Sequence, residues 1–324
     1  MVIDGVRHER DEGQGRRRVP DVIARRYLYL IALARERHFG RAAAACHVST
    51  STLSAAIRDI ESELGVTVVE RGQQFGGLTA EGRCVLECAQ RLADGAAGLR
   101  QQLATLRDHL EGRLIIGVIP TALTAVSALS AAFAARHPLV AVEVRSLPTD
   151  EIRNRLARFE IDAGVLYLPD HSDLALDCQP LWIEDHVLLT PNCGPLAERD
   201  EIRWGEAAEL PLCLLTPDML NRRTIDETFA SVGASATPTL ETDSIVSLLA
   251  HVCTGAWSTI IPRSVLEQIG TPGDTRVLRL VAPKLAWTTG LATLRQNPPK
   301  PAVAALHAVA ASLSRERGEH GRRS

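Results

Sequence analysis

The stretch AAAACHVSTSTLSAAIRDIE, Ala42–Glu61, is a run of helix-forming residues that four hydroxyl side chains interrupt at 49–52. Ser49 is a preferred N-cap residue, because its side-chain oxygen can accept a hydrogen bond from an unpaired backbone N–H in the first turn of a helix. After it, apolar residues recur at the spacing of one buried helix face: Leu53, Ile57, Ile60 and Leu64. The stretch therefore predicts two short helices joined by a turn at 47–49, a helix-turn-helix.

The segment after this stretch predicts a hairpin and then a long helix. VVERGQQFGGLT, residues 68–79, joins two β-prone valines to a Gly-Gly pair, and Thr79 can cap the helix that follows. From there apolar residues alternate at spacings of four and three: Val85, Ala89, Leu92, Ala96, Leu99, Leu103, Leu106 and Leu110. Such a narrow seam needs a partner helix, and its solvated flanks favour a second copy of the chain over a helix of the same chain.

The region from Gly112 to about residue 314 alternates strands with helices, a pattern typical of α/β domains with parallel sheets. The predicted strands are 113–119, 140–146, 163–167, 186–191, 212–216 and 258–261. The predicted helices include 124–136, 149–159, 222–232 and 245–254. The last residues, 315–324, are predicted to be a frayed tail.

Composition places the chain among ordinary globular proteins, with 45% hydrophobic and 23% charged residues. It has no secretory signal and no apolar run of about 18 residues, so we expect a cytoplasmic protein without a membrane partner. The seven cysteines are scattered without a Cys-x-x-Cys pair, which favours reduced thiols over disulfides or a zinc site. No catalytic, Walker or dinucleotide-binding motif occurs, so we expect no enzymatic activity, no cofactor and no metal.

The span Phe39–Gly82 resembles the winged helix-turn-helix of the LysR-type transcriptional regulators. The matching positions are Ala42-Ala43, Val48-Ser49, Leu53-Ser54, Ile57, Ile60-Glu61, Leu64-Gly65, Glu70-Arg71, Leu78-Thr79 and Gly82. The resemblance implies that the second helix reads the major groove, while Arg71 and a wing over Gly72–Gly77 contact the DNA backbone. The DNA-binding residues carried over are Arg41, Ser49, Thr50, Ser51, Ser54, Ala55, Arg58 and Arg71. The net charge of the whole chain is −3, but residues 1–78 hold twelve arginines against ten acids, which permits DNA binding.

Three positions in the second helix depart from the family pattern. Thr50 stands where the family commonly has glutamine, Ser51 where it often has proline, and Ala55-Ala56 where a basic residue and glutamine are frequent. With fewer long polar side chains on this helix, phosphate contacts should weigh more than base contacts. The alternative function is therefore a small-molecule-binding oligomeric protein of the same fold with weak or lost DNA binding.

In this family the region after the long helix resembles a periplasmic binding protein, with two lobes, two crossing strands and an effector between the lobes. The span Thr242–Val265 is similar to the family's helix and Gly-x-Gly-x-x-x-x-Pro segment, with Trp257 in place of the second glycine. The effector-binding candidates at strand ends and helix starts are Pro120, Thr121, Thr149, Tyr167, Thr216, Asn221 and Asp243. Their hydroxyl-rich character suits a small anion. Trp257 is a further candidate from the glycine segment, where a large aromatic side chain either shapes the effector pocket or fills the core. The span Val144–Leu168 also resembles a subgroup associated with formate dehydrogenase operons, which would make the effector a one-carbon compound.

The resemblance implies a multidomain α+β protein. We expect a disordered extension over 1–21, a winged helix-turn-helix domain over 22–78, a linker and dimerisation helix over 79–111, and a two-lobed α/β effector domain over 112–314. Lobe I would comprise 112–190 and 282–314, and lobe II 191–281. The implied function is transcription regulation: binding of promoter or operator DNA, modulation by a small anionic effector, pairing into dimers and then a homotetramer, and contact with RNA polymerase if the protein is an activator.

Overall fold

The computed structural model describes residues 25–70, 75–105, 110–168, 175–296 and 298–320. The chain divides into two compact units, residues 1–96 and 97–324. The helices are α1 Arg25–Glu36, α2 Phe39–Ala45, α3 Thr50–Leu64, α4 Ala80–Thr105, α5 Val126–Arg136, α6 Thr149–Ala157, α7 Trp204–Ala208, α8 Leu220–Ser231, α9 Ile245–Val252, α10 Arg263–Ile269 and α11 Pro301–His320. The strands are β1 Gly112–Val118, β2 Val140–Ser146, β3 Ala163–Tyr167, β4 Leu176–Pro191, β5 Glu201–Arg203, β6 Cys213–Leu215, β7 Leu240–Thr242, β8 Thr259–Pro262, β9 Thr275–Val281 and β10 Ala286–Leu294. No helix in these ranges is both long and apolar enough to cross a membrane.

The predicted helix-turn-helix is confirmed in the first unit. Helix α3 begins directly after Ser49, whose side chain accepts a hydrogen bond from the Thr52 backbone N–H at 3.1 Å. The turn before it passes through His47 in the left-handed region, with φ of 55°. The core of the unit is formed by Leu30, Leu33, Ala42, Ala43, Leu53, Ile57, Ile60 and Val68. Each fully buried leucine or isoleucine in it contributes about 1.5–3 kcal/mol of apolar burial.

One member of the predicted apolar face is exposed. Leu64 keeps 44% of its surface accessible, so its assignment to the core was wrong. It is the last residue of α3, and Gly65, in the left-handed conformation with φ of 66°, turns the chain away there. The stripe therefore ends one turn earlier, at Ile60.

The hairpin after α3 is present as a single antiparallel bridge between Val69 and Leu78. The Glu61 side chain on α3 accepts hydrogen bonds from the backbone N–H groups of Val68 at 2.7 Å and Val69 at 3.2 Å, which joins the helix to the first arm of the hairpin. Thr79 caps α4 as predicted, because its hydroxyl oxygen accepts from the Gly82 N–H at 2.8 Å. The expected backbone contacts at Arg71 and Gly72 lie outside the described residues, as do the predicted extension over 1–21 and the end of the tail.

Helix α4 carries the predicted seam as far as Leu103, and burial differs among its members; Leu106 lies outside the described residues and Leu110 is not helical. Ala89 and Ala96 are buried, whereas Leu92, Leu99 and Leu103 are exposed. The helix ends earlier than the predicted residue 111, because Leu110 and Glu111 are not helical. The exposed leucines form an apolar stripe on the described surface of the helix.

The second unit is built on a mixed sheet with strand order β2-β1-β3-β10-β4-β9-β5, to which β8 adds by pairing with β4. The expected parallel pairing is present between β1 and β2, between β1 and β3, and between β5 and β9. The pairs β3–β10, β4–β10, β4–β8 and β4–β9 are antiparallel. Strand β4 is the reason: its first part pairs with β10 and its last part with β8 and β9. Parallel neighbours need a crossover connection between consecutive strands, and a strand shared by two lobes is not joined to its neighbours in this way.

The packing on either side of β4 defines two lobes. Lobe I, formed by β1–β3, α5, α6 and α11, surrounds a core that includes Phe133 and Leu156. Lobe II, formed by β5–β9 and α7–α10, has a core on each face of its sheet. Val187 and Leu189 of β4 enter one of these cores and Leu188 the other, as the period of two in a strand requires. The sequence predicted this segment of β4, 186–191, but not its first ten residues.

Replacing Gly82 by alanine should destabilise the first unit. A Cβ at Gly82 would overlap the backbone carbonyl of Val68, so the hairpin arm would have to move, at a cost of about 2–3 kcal/mol. Gly95→Ala in the same helix is the matched control, because a Cβ there meets no atom within 4 Å and alanine favours helix by about 1 kcal/mol.

Two spectroscopic signals separate the units during urea unfolding. All four tryptophans, at 182, 204, 257 and 287, lie in the second unit, so tryptophan fluorescence follows that unit while far-ultraviolet circular dichroism follows both. We expect Gly82→Ala to shift the dichroism transition to lower urea and leave the fluorescence transition in place. An unchanged dichroism transition would contradict the close approach of α4 to the hairpin.

Candidate functional site

The exposed start of α3 is the first candidate site. Thr50, Ser51 and Arg58 are exposed, while Ser54 and Ala55 are half-buried. The hydroxyls of Ser51 and Thr52 each lie 2.8 Å from Ser49 Oγ, so the hydroxyl patch is a connected hydrogen-bonded group. No acidic residue occupies the first turn of α3. The positive end of the helix dipole and short donors therefore face outward together, an arrangement that suits phosphate and base edges.

The remaining residues predicted for this site are placed differently. Arg41 is exposed on α2, and its guanidinium donates a 2.7 Å hydrogen bond to the Glu36 carbonyl, which orients the side chain along its own domain. Arg71 lies outside the described residues. Arg58 is thus the predicted cation on α3 that the structure places on the exposed side of the helix.

A cavity between the two lobes is the second candidate site. It has an empty volume of about 230 Å³ that opens to solvent. Lobe I contributes Ile119, Pro120, Thr121, Pro148, Thr149 and Tyr167, and lobe II contributes Leu215, Met219, Leu220 and Asn221. This volume includes open solvent, and the enclosed part has room for about one water molecule in this arrangement of the lobes.

Two helices begin at this cavity. Helix α6 starts at Thr149 and α8 at Leu220, and neither has a side-chain cap, because Pro148 and Met219 occupy the N-cap positions. Both therefore present unpaired backbone N–H groups and the positive end of a helix dipole, which Asp150 and Glu151 in the first turn of α6 offset in part and no acid offsets in α8. At the outer rim, Arg223 on α8 forms a 3.5 Å ion pair with Asp150 on α6, which links the two lobes beside the opening.

Two buried polar atoms at the cavity make no hydrogen bond within the described protein: Thr149 Oγ1 and Asn221 Oδ1. Both side chains are only 5% exposed. A buried polar atom without a partner is destabilising, and in native proteins such atoms are usually satisfied by water or a ligand. Because both residues line the cavity, a polar ligand there could satisfy them.

Beneath the cavity, Tyr167 is the centre of a buried hydrogen-bond network. Its hydroxyl lies 3.1 Å from Thr121 Oγ1, donates to Glu184 Oε2 at 3.1 Å, and accepts from Asn221 Nδ2 at 3.3 Å. The same Asn221 amide lies 2.8 Å from His186 Nε2. Residues of β3, β4 and α8 meet at one hydroxyl, so this network connects lobe I with lobe II.

Glu184 is 1% exposed and accepts hydrogen bonds from three side chains. Trp182 Nε1 donates to Oε1 at 2.8 Å and Ser264 Oγ at 3.2 Å, in addition to Tyr167. Burial raises the pKa of this carboxyl above its ordinary value, while the hydrogen bonds from Trp182, Tyr167 and Ser264 lower it in part. No cation among the described residues forms an ion pair with it.

His186 and Tyr167 are both neutral near pH 7. Burial lowers the pKa of His186 to about 4 and raises the pKa of Tyr167 well above its ordinary value. The donor set around the cavity therefore consists of hydroxyl, amide and backbone groups, and none of its ten lining residues is charged.

The structure brings together five of the eight predicted effector residues: Pro120, Thr121, Thr149, Tyr167 and Asn221. The other three lie elsewhere. Thr216 follows β6 and donates its backbone N–H to the Thr242 carbonyl, Asp243 is exposed after β7, and Trp257 packs on His251 and donates to Thr239 at 2.9 Å. None of the three is among the ten lining residues, although Thr216 directly follows Leu215 and its carbonyl accepts from the Met219 N–H at 3.0 Å.

Sequence reasoning missed Glu184 and His186. A signal for them exists, because β4 alternates inward and outward side chains and both polar residues fall on its buried phase. It also missed the apolar part of the cavity wall: Ile119, Pro148, Leu215, Met219 and Leu220. Those residues resemble ordinary core positions, and no local pattern distinguishes them.

Comparison with known families assigns both units. Residues 24–83 match the family described as bacterial regulatory helix-turn-helix protein, lysR family, and residues 107–314 match the LysR substrate binding domain. Among curated relatives, a probable hydrogen peroxide-inducible genes activator of Mycobacterium xenopi is 35% identical over 139 residues, 43% of this chain and 74% of that protein. An SDS degradation transcriptional activation protein of a Pseudomonas species is 36% identical over 157 residues, which span 48% of this chain and only half of that protein.

Solved structures agree over most of the chain. A full-length OxyR variant from Pseudomonas aeruginosa superposes with a TM-score of 0.71 at 26% identity, over 89% of this chain and 93% of that one. CbnR in complex with its target DNA superposes with a TM-score of 0.65 at 21% identity, over 89% and 99%, which shows a shared fold. With a helix-turn-helix capped at Ser49, a two-lobed second unit and both family matches, the chain belongs to the LysR family and is a LysR-type transcriptional regulator.

Proposed function

We propose that this regulator binds promoter DNA through α2 and α3 and responds to a small anionic effector held between its lobes. The observation that carries the effector proposal is the cavity itself, where two uncapped helix starts and two unpartnered polar atoms from opposite lobes face one space. Uncapped helix N-termini favour anions through their free N–H groups and dipole. The effector therefore links the lobes directly.

Size and chemistry narrow the effector class. The enclosed space is small, and its wall offers hydroxyl, amide and backbone donors among apolar side chains. These features support a small carboxylate or inorganic anion rather than a large aromatic compound. Formate, which the similarity of Val144–Leu168 to the formate dehydrogenase subgroup suggests, is one member of this class.

The exposed leucines of α4 support assembly. Leu92, Leu99 and Leu103 lie on one apolar stripe, and a matching stripe on a second copy would bury them. We propose that pairs of chains form through this helix and then a homotetramer, so that several helix-turn-helix units address an interrupted palindrome.

Regulation then follows from a shift between two arrangements of the lobes. An effector that binds one arrangement more tightly raises its population, and the assembly presents its DNA-binding units differently as a result. Contact with RNA polymerase follows where the protein activates transcription. Since its target is DNA, we place the protein in the cytoplasm, at the nucleoid, and assign it no catalytic step.

Two alternatives have less support. A protein of this fold that has lost DNA binding would not need an exposed Arg58 and a hydroxyl patch on the start of α3. Peroxide sensing, suggested by the names of relatives, needs a reactive thiolate. None of the ten cavity residues is a cysteine, and burial raises the pKa of the Cys213 thiol to about 11.

Arg58→Ala should weaken binding to the DNA immediately upstream of the gene. Loss of one phosphate contact weakens binding about equally for all DNA sequences and lowers the salt slope of binding by about one. Fluorescence anisotropy at several salt concentrations measures both. Ser62→Ala, at an exposed position later on α3, is the control and should bind as wild type. Absence of salt-sensitive binding by the wild type at low salt would favour the alternative without DNA binding.

Thr149→Val should remove an effector contact and leave DNA binding intact. Valine has a similar shape and lacks the unpartnered hydroxyl, so we expect about tenfold weaker binding of the effector, close to 1.4 kcal/mol. Thr124→Val is the matched control, because its hydroxyl is also unpartnered but does not line the cavity. Thermal shift with sodium formate, sodium acetate and sodium nitrate measures the effect. Equal stabilisation of Thr149→Val and wild type would contradict the placement of the effector.

A further inference from the structure

The cavity combines two electrostatic features that oppose each other. Two uncapped helix N-termini favour an anion, yet the Glu184 carboxyl lies one hydroxyl group beneath the cavity wall. Tyr167 is 3.1 Å from both Glu184 Oε2 and Thr121 Oγ1, so an anion bound at Thr121 would lie close to a second negative charge in a dry environment whenever Glu184 is ionised. Like charges at such a separation repel strongly, and one of them is then neutralised by a proton.

The direction of the hydrogen bonds depends on the same proton. When Glu184 is ionised, the Tyr167 hydroxyl donates to it, and the Thr121 hydroxyl then donates to Tyr167, so the lone pairs of Thr121 face the cavity. When Glu184 is protonated, it donates to Tyr167, Tyr167 donates to Thr121, and the Thr121 hydrogen is free to point into the cavity. Asn221 donates to Tyr167 in both cases. Protonation of Glu184 thus converts Thr121 from an acceptor into a donor for an anion.

We propose that the cavity takes up a small monocarboxylate together with one proton. The proton binds to Glu184, and it reverses the hydrogen bonds of Tyr167 and Thr121 so that the Thr121 hydroxyl donates to the ligand. The proton comes from solution, and no covalent bond of the ligand changes. This inference rests on the proposed effector site and adds its pH dependence and its coupled group.

Other groups around Glu184 do not supply the titration. Tyr167 on β3 and His186 on β4 are the titratable groups that face it through the network, and both stay neutral between pH 5.5 and 8 because the pKa of His186 is about 4 and that of Tyr167 is raised. From α10, Ser264 donates to Glu184, and Arg263 forms no ion pair with it in the described structure. From β10, Thr289 adds a neutral hydroxyl. Asp185, the neighbouring acid on β4, pairs with Lys284 instead.

The linkage has a definite sign. Burial raises the pKa of Glu184, so in the free protein its neutral form is favoured at low pH and lost as pH rises through that value. A bound anion raises the pKa of Glu184 further, because a second negative charge nearby disfavours the ionised carboxylate. Anion affinity is therefore highest at low pH and decreases with rising pH, by up to about tenfold per unit.

Isothermal titration calorimetry of the full-length protein with sodium formate, sodium acetate and sodium glycolate tests the proposal, with sodium chloride at equal ionic strength as reference. Wild type should bind at least about tenfold more weakly at pH 8 than at pH 5.5, and binding enthalpies in two buffers of different ionisation enthalpy should report more proton uptake at pH 8 than at pH 5.5. Glu184→Gln carries a permanent N–H donor toward Tyr167, so it should bind at pH 8 as tightly as wild type does at pH 5.5, without proton uptake. Asp185→Asn, the adjacent carboxyl on β4, should retain the pH dependence of wild type.

Three outcomes would overturn the proposal. If wild type binds with equal affinity at both pH values, ligand binding is not coupled to a proton. If the pH dependence persists in Glu184→Gln, another group takes up the proton. Failure of all three carboxylates to bind excludes the ligand class. Fluorescence anisotropy with upstream DNA, measured without effector, shows separately whether the regulator binds DNA. The tryptophan unfolding transition of each variant verifies that the second unit is folded.

Discussion

The hydrogen-bond ladder of β4 is the constraint on which the second unit depends. Its sixteen residues pair with β10 over the first part and with β8 and β9 over the last, so one continuous strand belongs to both lobes. The ladder with β10 has one register shift, between Thr289 and Gly290, and otherwise runs from Leu176 to Asp185, so a movement of the lobes bends this strand and its partner β10. The cavity lies beside this connection, and Glu184 and His186 lie at the point where β4 changes partners.

The walls of the cavity are held by different forces. Apolar packing of each core fixes the ends of β1, β3 and β6, whereas the contact between the lobes at Tyr167 consists of hydrogen bonds among buried polar groups. Apolar contacts tolerate small shifts, but a buried hydroxyl must keep its partners. A change in one partner of Tyr167 is therefore transmitted to the others, which makes this contact sensitive to a ligand.

The sequence predicts the first unit well because its signals are local. Ser49 and Thr79 act as caps within a few residues, and the stripe Leu53, Ile57 and Ile60 is a helix period; only Leu64 failed, at a helix end. The cavity is harder, because its residues come from loops up to about a hundred positions apart and depend on sheet order. Tyr167 and Asn221 were predicted from strand and helix ends, whereas Trp257 was chosen from the family's glycine motif and packs on His251. Glu184 required knowing that its strand faces the core.

The hydrogen bonds from Val68 and Val69 to the single carboxylate of Glu61 have a consequence for how the protein engages a duplex. They attach the first arm of the hairpin, at Val68 and Val69, to the last turn of α3, so the reading helix and the base of the hairpin are held together. We expect such a unit to bind only where the separation between the groove and the neighbouring DNA backbone matches its own dimensions. DNA that is too wide or too narrow at that point is rejected by its shape, even where every base is correct.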